Sequence, residues 1–338
     1  MNQGTPPPDP QRIWQIMTGF QHSAAFKTAV EVELFTKIGE GNNTPATLGA
    51  ACGAAERGIR ILADSLTVLG LLNKVNGEYS LNDVSASFLD KHSPMYLGSV
   101  VEFIIAPQQR RGFDDLTSAV RHGGSRITGD ASMDPNSEMW VTFAKAMAPM
   151  MMPSAQMIAA NVGFDPDRRL KVLDIAAGHG MFGIMVAKAF PNAEIYALDW
   201  ENVLTVATEN AGKFGVAERH HLIPGSAFDT EFGEGHDVVL VTNFLHHFDA
   251  ETCINFMRKV RNSLADGGKA LTLEFVPNDD RVSPPSEALF SLVMLAATPA
   301  GDAYTFAELR EIFETAGFSQ NEHIPLSPMP QHLIVSMA

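Results

Sequence analysis

The segment Lys171-Val-Leu-Asp-Ile-Ala-Ala-Gly-His-Gly180 limits most tightly what this chain can fold into. An apolar run, expected to be a buried strand, carries the acid Asp174 to a turn in which Gly178, Gly180 and Gly183 spell G-x-G-x-x-G. Strand, glycine turn and helix in that order make the ligand-binding unit of an open α/β sheet. Asp199 follows about 20 residues later, as it would in a dinucleotide fold, so the glycines alone leave two ligand classes open.

Asp174 separates the two. Across a low-dielectric turn its carboxylate would repel a pyrophosphate by about a few kcal/mol at an effective dielectric near ~20. A ligand with an ammonium, a sulfonium and no phosphate reverses the sign. The turn is therefore expected to hold S-adenosyl-L-methionine in preference to a dinucleotide.

The chain has 338 residues, 45% hydrophobic and 19% charged, which is enough for two cores. Its 24 basic and 39 acidic side chains give a net charge of −15, which repels nucleic acid and anionic membranes and favours a small-molecule partner. Cys52 and Cys253 lie roughly 200 positions apart and form no disulfide framework or metal clip, a pattern that fits the reducing cytoplasm. Met1 to Pro10 lacks the basic and apolar blocks of a signal peptide or anchor, and runs such as Ala288 to Ala297 are too short to span a bilayer.

From Gln11 to Ile38 apolar residues recur at helical spacing, Thr44-Pro45 opens a short helix, and a longer helix is expected from Glu56 to Leu72. Lys74 to Leu81 reads as a hairpin turning on Asn76-Gly77, so this region predicts a winged helix. Arg57 and Arg60 are offset by Glu56 and Asp64, which argues for a structural or dimerising module over a DNA reader. Gly112 to Asn136 reads as a loop-rich connection, and Ser137 to Asn161 as a helix with a kink at Pro153. Strands and helices then alternate from Val172 to Ser336, which predicts a parallel sheet with helices on both faces. The expected division is 1–110, a linker with connecting helices at 111–160, and a ligand-binding domain at 161–338.

At the strand ends, Asp199 is placed to accept hydrogen bonds from both ribose hydroxyls, and Trp200 to cover the adenine face. Ser226, Ala227 and Phe228 end the third strand, offering polar groups to the adenine edge and a ring to its face. The fourth strand ends in His246-His247, where a zinc site is disfavoured because adjacent side chains diverge and no third ligand lies at helical spacing. One histidine of the pair reads as a general base. Phe143, Met147, Met150, Met151, Phe290, Met294 and Leu295 form a sulfur-rich apolar set, which suits a flat ligand but is also ordinary core composition.

Taken in order, Phe143 to Met147, Asp174 to Gly180, Leu198-Asp199, Gly225 to Phe228, His246 to Asp249, Glu274 and Thr305 to Phe318 resemble the small-molecule O-methyltransferases of the plant caffeate and bacterial antibiotic type. The resemblance covers nearly the whole chain. It implies a Rossmann-like class I methyltransferase sheet behind an N-terminal, mainly helical winged-helix domain that makes a homodimer. It implies donor contacts from Met147, Asp174, Ala176, Gly178, Asp199, Trp200, Ser226, Ala227, Phe228 and Asn243, with S-adenosyl-L-homocysteine as product. Acceptor walls would come from Phe143, Met150, Met151, Phe290 and Met294. His246 would take the proton of the acceptor hydroxyl, supported by Glu274, which would also fix the imidazole's tautomer.

Three positions depart from the family pattern. Ala176 replaces the first glycine of D-x-G-x-G-x-G, Ser226 replaces the usual acid of the third-strand motif, and Ala303 stands where many members carry a second supporting acid, with Asp302 beside it. Methylation at nitrogen or carbon, a donor-binding enzyme of other chemistry, and a ligand-sensing winged-helix regulator are the competing readings.

Overall fold

The computed structural model describes residues 9–127 and 138–338, and the contacts divide them into two compact units, up to Ile105 and from Ala106 onward. The expected linker at 111–160 therefore packs, where it is described, within the second unit.

The first unit begins with α1 (Gln11–Glu31) and α2 (Leu34–Gly39). Glu33 separates them by taking a left-handed φ of 56°, which no helix interior accommodates. Thr44 caps α3 (Pro45–Ala51) through a reciprocal box with Thr47. α4 (Glu56–Val68) stops short of the expected Leu72, because Gly70 turns left-handed at φ 75° and releases Leu72 into β1 (Leu72–Val75). β1 pairs antiparallel with β2 (Glu78–Leu81) across Asn76 and Gly77, whose φ values of 52° and 86° give the turn that matches strand twist. α5 (Asp83–Phe88) and the short α6 (Val101–Ile104) follow. Leu34, Phe35, Leu48, Leu66 and Tyr79 fill the core. Arg60 of the helix and Lys74 of the wing both pair with Asp64, at 3.0 and 2.5 Å. By contrast Ile13, Ile16, Met17 and Phe20, at helical spacing along one side of α1, are 57–68% exposed within this chain.

The second unit opens with α7 (Pro107–Asp114) and α8 (Leu116–His122), so the first part of the expected loop at 112–136 is helical, while 128–137 lie outside the described residues. α9 (Glu138–Ala160) runs through both Pro149 and Pro153 as one assigned helix. Strand and helix then alternate: β3 (Lys171–Ile175), α10 (Met181–Ala189), β4 (Glu194–Asp199), α11 (Glu201–Lys213), β5 (His220–Pro224), β6 (His236–Thr242), α12 (Ala250–Ser263) and β7 (Leu264–Phe275). After them come α13 (Pro285–Ala297), α14 (Phe306–Ala316), β8 (Gln320–Pro325) and β9 (Gln331–Met337).

The seven-stranded sheet has the order β5-β4-β3-β6-β7-β9-β8. Pairing is parallel from β5 to β7, but β9 runs antiparallel to both β7 and β8, so the expectation of a purely parallel sheet is corrected to a mixed one. The reason lies in the connection. Met329 closes a turn onto Leu326, and this reverses the chain directly, whereas a parallel return needs a crossover of a dozen or more residues. Neither β8, whose burial is irregular, nor α13 was resolved as an element by periodicity. Strand order reverses between β3 and β6, and the crevice at the carboxyl ends of these strands is where an open α/β sheet takes its ligand.

Candidate active site

Gly178 and Gly180 turn the chain left-handed after β3, with φ of 58° and 72°, and Ala176 does the same at 51°. An alanine there costs about 1 kcal/mol more than the glycine it replaces, so the turn survives the substitution under modest strain. Gly183 answers a different need. A Cβ on it would lie 2.6 Å from Ile195 Cγ2 and 2.9 Å from Asp174 Oδ2, so only glycine lets α10 approach the sheet this closely.

Asp174 is anchored on one carboxylate oxygen and, among the described residues, unpartnered on the other. Its side chain is fully buried, and Oδ2 accepts the Gly183 N–H at 3.0 Å while Oδ1 has no partner among the described residues. Burial pushes its pKa up to about 7, with Asp199 adding to the rise. Through Oδ2 the carboxylate ties strand to helix, and this contact does not by itself carry the charge argument for the donor.

Asp199 does reach the turn, accepting the Gly178 N–H on Oδ2 at 2.8 Å and the Trp200 N–H on Oδ1 at 2.7 Å. Each carboxylate oxygen keeps a lone pair for a further donor. Burial raises the pKa of this acid to about 6, although both N–H groups pull it down. Asn243, just after β6, takes φ 51° and donates through Nδ2 to Met151 Sδ at 3.8 Å, while its buried Oδ1 has no partner among the described residues. Two carboxylate lone pairs at the end of β4 and an amide oxygen just after β6, unpartnered among the described residues, flank the β3 turn and fit a ligand rich in hydroxyl and amine donors, and so fit S-adenosyl-L-methionine.

Trp200 lies 6.5 Å from Trp140, which also meets Phe143 edge-on at 5.5 Å, so an aromatic wall stands beside the β4 end. Ser226 turns inward, its Oγ accepting the Phe228 N–H at 3.2 Å, and Ala227 is buried. Phe228 packs at 4.9–5.9 Å against Phe244, Phe248 and Phe256.

The β6 end carries the titratable pair. His246 Nδ1 lies 2.5 Å from Glu274 Oε2, and the other oxygen, Oε1, accepts the N–H groups of Phe244 and Leu245 at 3.0 and 2.7 Å. Both side chains are buried. A carboxylate only accepts, so a hydrogen bond here needs a proton on Nδ1, and the neutral ring then has its free lone pair on Nε2. His247 turns edge-on to Trp140 at 5.8 Å, and burial with the His246 ring beside it holds its pKa well below the usual histidine range. Gly301 packs so closely on this turn that a Cβ would lie 2.2 Å from the His246 carbonyl oxygen.

Phe290 lies 4.9 Å from the His246 ring, edge-on, and stacks on Phe275 at 3.9 Å. Its helix, α13, is pinned to the sheet by Glu287, 3.7 Å from His332, which meets His323 at 2.6 Å. Met147 and Met294 are buried, and Met150 is half-buried. Met151 also reads as packing: its sulfur takes the N–H groups of Asn243 and of the buried Gln331. Ala303 is fully buried, and Asp302 faces Arg281 at 3.1 Å.

The family profile described as O-methyltransferase domain matches residues 113–319, and that of the O-methyltransferase dimerisation domain matches 14–91. The chain belongs to the O-methyltransferase family. It is an S-adenosyl-L-methionine-dependent enzyme. A 3-hydroxy-5-methyl-1-naphthoate 3-O-methyltransferase of Streptomyces sahachiroi is 27% identical over 94% of this chain and 92% of its own length. A candidate O-methyltransferase of Nostoc punctiforme has a crystal structure that superposes with a TM-score of 0.93, at 47% identity over 98% of this chain and 99% of that one. Human N-acetylserotonin methyltransferase, solved with S-adenosylmethionine, shares the fold at a TM-score of 0.85 and 20% identity over 99% of each chain. Among the described residues no helix is long and apolar enough to cross a membrane.

Proposed function

We propose that this O-methyltransferase methylates a hydroxyl, phenolic in character, of a small and largely apolar molecule, with His246 as general base. The observation that carries the reading is the buried His246–Glu274 pair, locked on its far side by the Phe244 and Leu245 N–H groups. In this reading Nδ1–H donates to Glu274, Nε2 receives the hydroxyl proton, and Glu274 holds the resulting imidazolium. A phenol near pKa ~10 and an imidazole near ~6.5 differ enough that complete transfer beforehand would cost roughly 5 kcal/mol, so deprotonation and displacement must overlap. S-adenosyl-L-methionine supplies the electrophilic methyl carbon on its sulfonium. The residues of this chain align the oxygen with that carbon, and alignment is the larger part of such an in-line transfer.

Phe290 beside the His246 ring supports an aromatic acceptor, since it places an apolar aromatic side chain next to the base. The experiment is mass spectrometry of a phenol library incubated with enzyme and donor. A gain of one methyl on a phenolic oxygen is expected, and a product methylated only at carbon or nitrogen would refute the reading.

The exposed side of α1, with Trp14 beside it, implies that the functional unit is a homodimer formed through the N-terminal helices. Light scattering is expected to give twice the chain mass at micromolar concentration. A mass equal to one chain at every concentration would rule this out.

A further inference from the structure

We propose that Lys259 is a positioning residue for the donor's adenine, an ammonium clamp that holds the 225–230 turn in the shape that selects the base. The proposal rests on the reading that this turn faces adenine. Lys259 projects from α12, and its Nζ donates to the carbonyl oxygens of Ala227, Phe228 and Thr230 at 3.2, 2.8 and 2.7 Å. An ammonium has three donors, so the group is saturated. Its charge lies 4.1 Å from the Phe232 ring centroid, which completes its surroundings on the apolar side.

The turn is held from within as well. The Ser226 carbonyl accepts the Asp229 and Thr230 N–H groups at 3.2 and 2.9 Å, and Gly225 donates to the Asp199 carbonyl at 2.9 Å. Drawing three carbonyls toward α12 fixes the orientation of the peptide planes between them, since N–H and C=O of one planar unit point opposite ways. The same pull seats Phe228 against Phe248 and Phe256. Asp199, the acid expected to hold the ribose, and the base-reading turn are thus tied to one another through Gly225 and to α12 through Lys259. Ser226, which replaces the acid usual in this motif, accepts the Phe228 N–H on Oγ and keeps one hydroxyl donor and one lone pair. The other groups that can read the base belong to the backbone of the turn, whose shape depends on Lys259.

The test uses calorimetry on the full chain with S-adenosylhomocysteine and with S-inosylhomocysteine, which exchanges the exocyclic amine for an oxygen. The wild type is expected to prefer the adenine compound. Lys259→Met is expected to weaken its binding at least about tenfold, the size of a lost charge-assisted hydrogen bond, and to shrink the preference. Lys259→Arg is expected to restore most of both. If Lys259→Met binds S-adenosylhomocysteine within about twofold of wild type, or weakens both compounds equally, the clamp is overturned and Lys259 is a strut. If Lys259→Met does not fold, Lys259→Gln, with two uncharged donors, is expected to show an intermediate loss of preference, and wild-type behaviour in it overturns the clamp. A wild type that cannot tell the two bases apart overturns the adenine reading of the turn, and this proposal with it.

Discussion

Replacing His246 with alanine is expected to lower kcat by about a hundredfold to ten-thousandfold, the range that a positioned general base supplies, with S-adenosylhomocysteine affinity nearly unchanged. The split follows from where the residue sits. Its Nδ1 is bound to Glu274 and its ring meets Phe290 and Phe275, and none of these belongs to the Asp199 side of the crevice. Glu274→Gln should fall between wild type and His246→Ala. The amide keeps an oxygen for the Phe244 and Leu245 N–H groups but loses the charge that orients and stabilises the imidazolium. His247→Ala should cost less than either, because a ring held neutral against Trp140 is a packing group. The measurement is turnover of a methylated acceptor under chemistry-limited conditions, with calorimetry for the donor. Retention of more than about half the wild-type kcat in His246→Ala would mean that alignment alone carries the transfer.

Asp199→Ala is expected to weaken S-adenosylhomocysteine binding by about a hundredfold or more. It removes the charged acceptor proposed for the ribose hydroxyls and releases the Gly178 N–H that shapes the turn. A pH dependence accompanies this. Burial raises the carboxyl's pKa to about 6 in the free chain, whereas donated hydroxyls favour its ionised form and lower the pKa in the complex. Ligand binding therefore releases a proton below the free pKa, so affinity should rise with pH from about 5 and level off above about 6 to 7. Asp174 also titrates in this range, near 7, with its Oδ2 bound to the Gly183 N–H. Asp199→Asn separates the two. Calorimetry across pH 5–8 should give a flatter profile for the variant, and an unchanged slope would move the titration to Asp174.

Much of this architecture was legible from local pattern. Thr44-Pro45 announces its helix because capping acts between residues three apart, and the structure supplies the partner in Thr47. Asn76-Gly77 announces its hairpin because few residues accept two successive positive φ values. The strands β3 to β7 and the positions of Asp199, His246 and Glu274 at their ends followed from apolar runs that stop at polar residues. Their roles came from resemblance, and the structure shows His246 and Glu274 to be in contact. α7 and α8 were obscured by the glycines at 112, 123 and 124. Gly112 and Gly124 serve close approaches, their Cβ positions falling 2.5 Å and 1.8 Å from the carbonyl oxygens of Ala296 and Pro299.

The sequence by itself determined the strand–turn–helix unit, the winged-helix module and the acid and histidine at the strand ends, because each is encoded by residues within a few positions of one another. Only the tertiary structure decided that Asp174 turns inward to Gly183, that β9 runs antiparallel beside β7, that Met151 belongs to Asn243 and Gln331, and that Lys259 closes on a turn some thirty residues away. These depend on which way a buried polar group finds its partner. A polar group taken out of water finds its partner among whatever groups the fold brings within reach, and the spacing of residues along a chain does not encode that proximity.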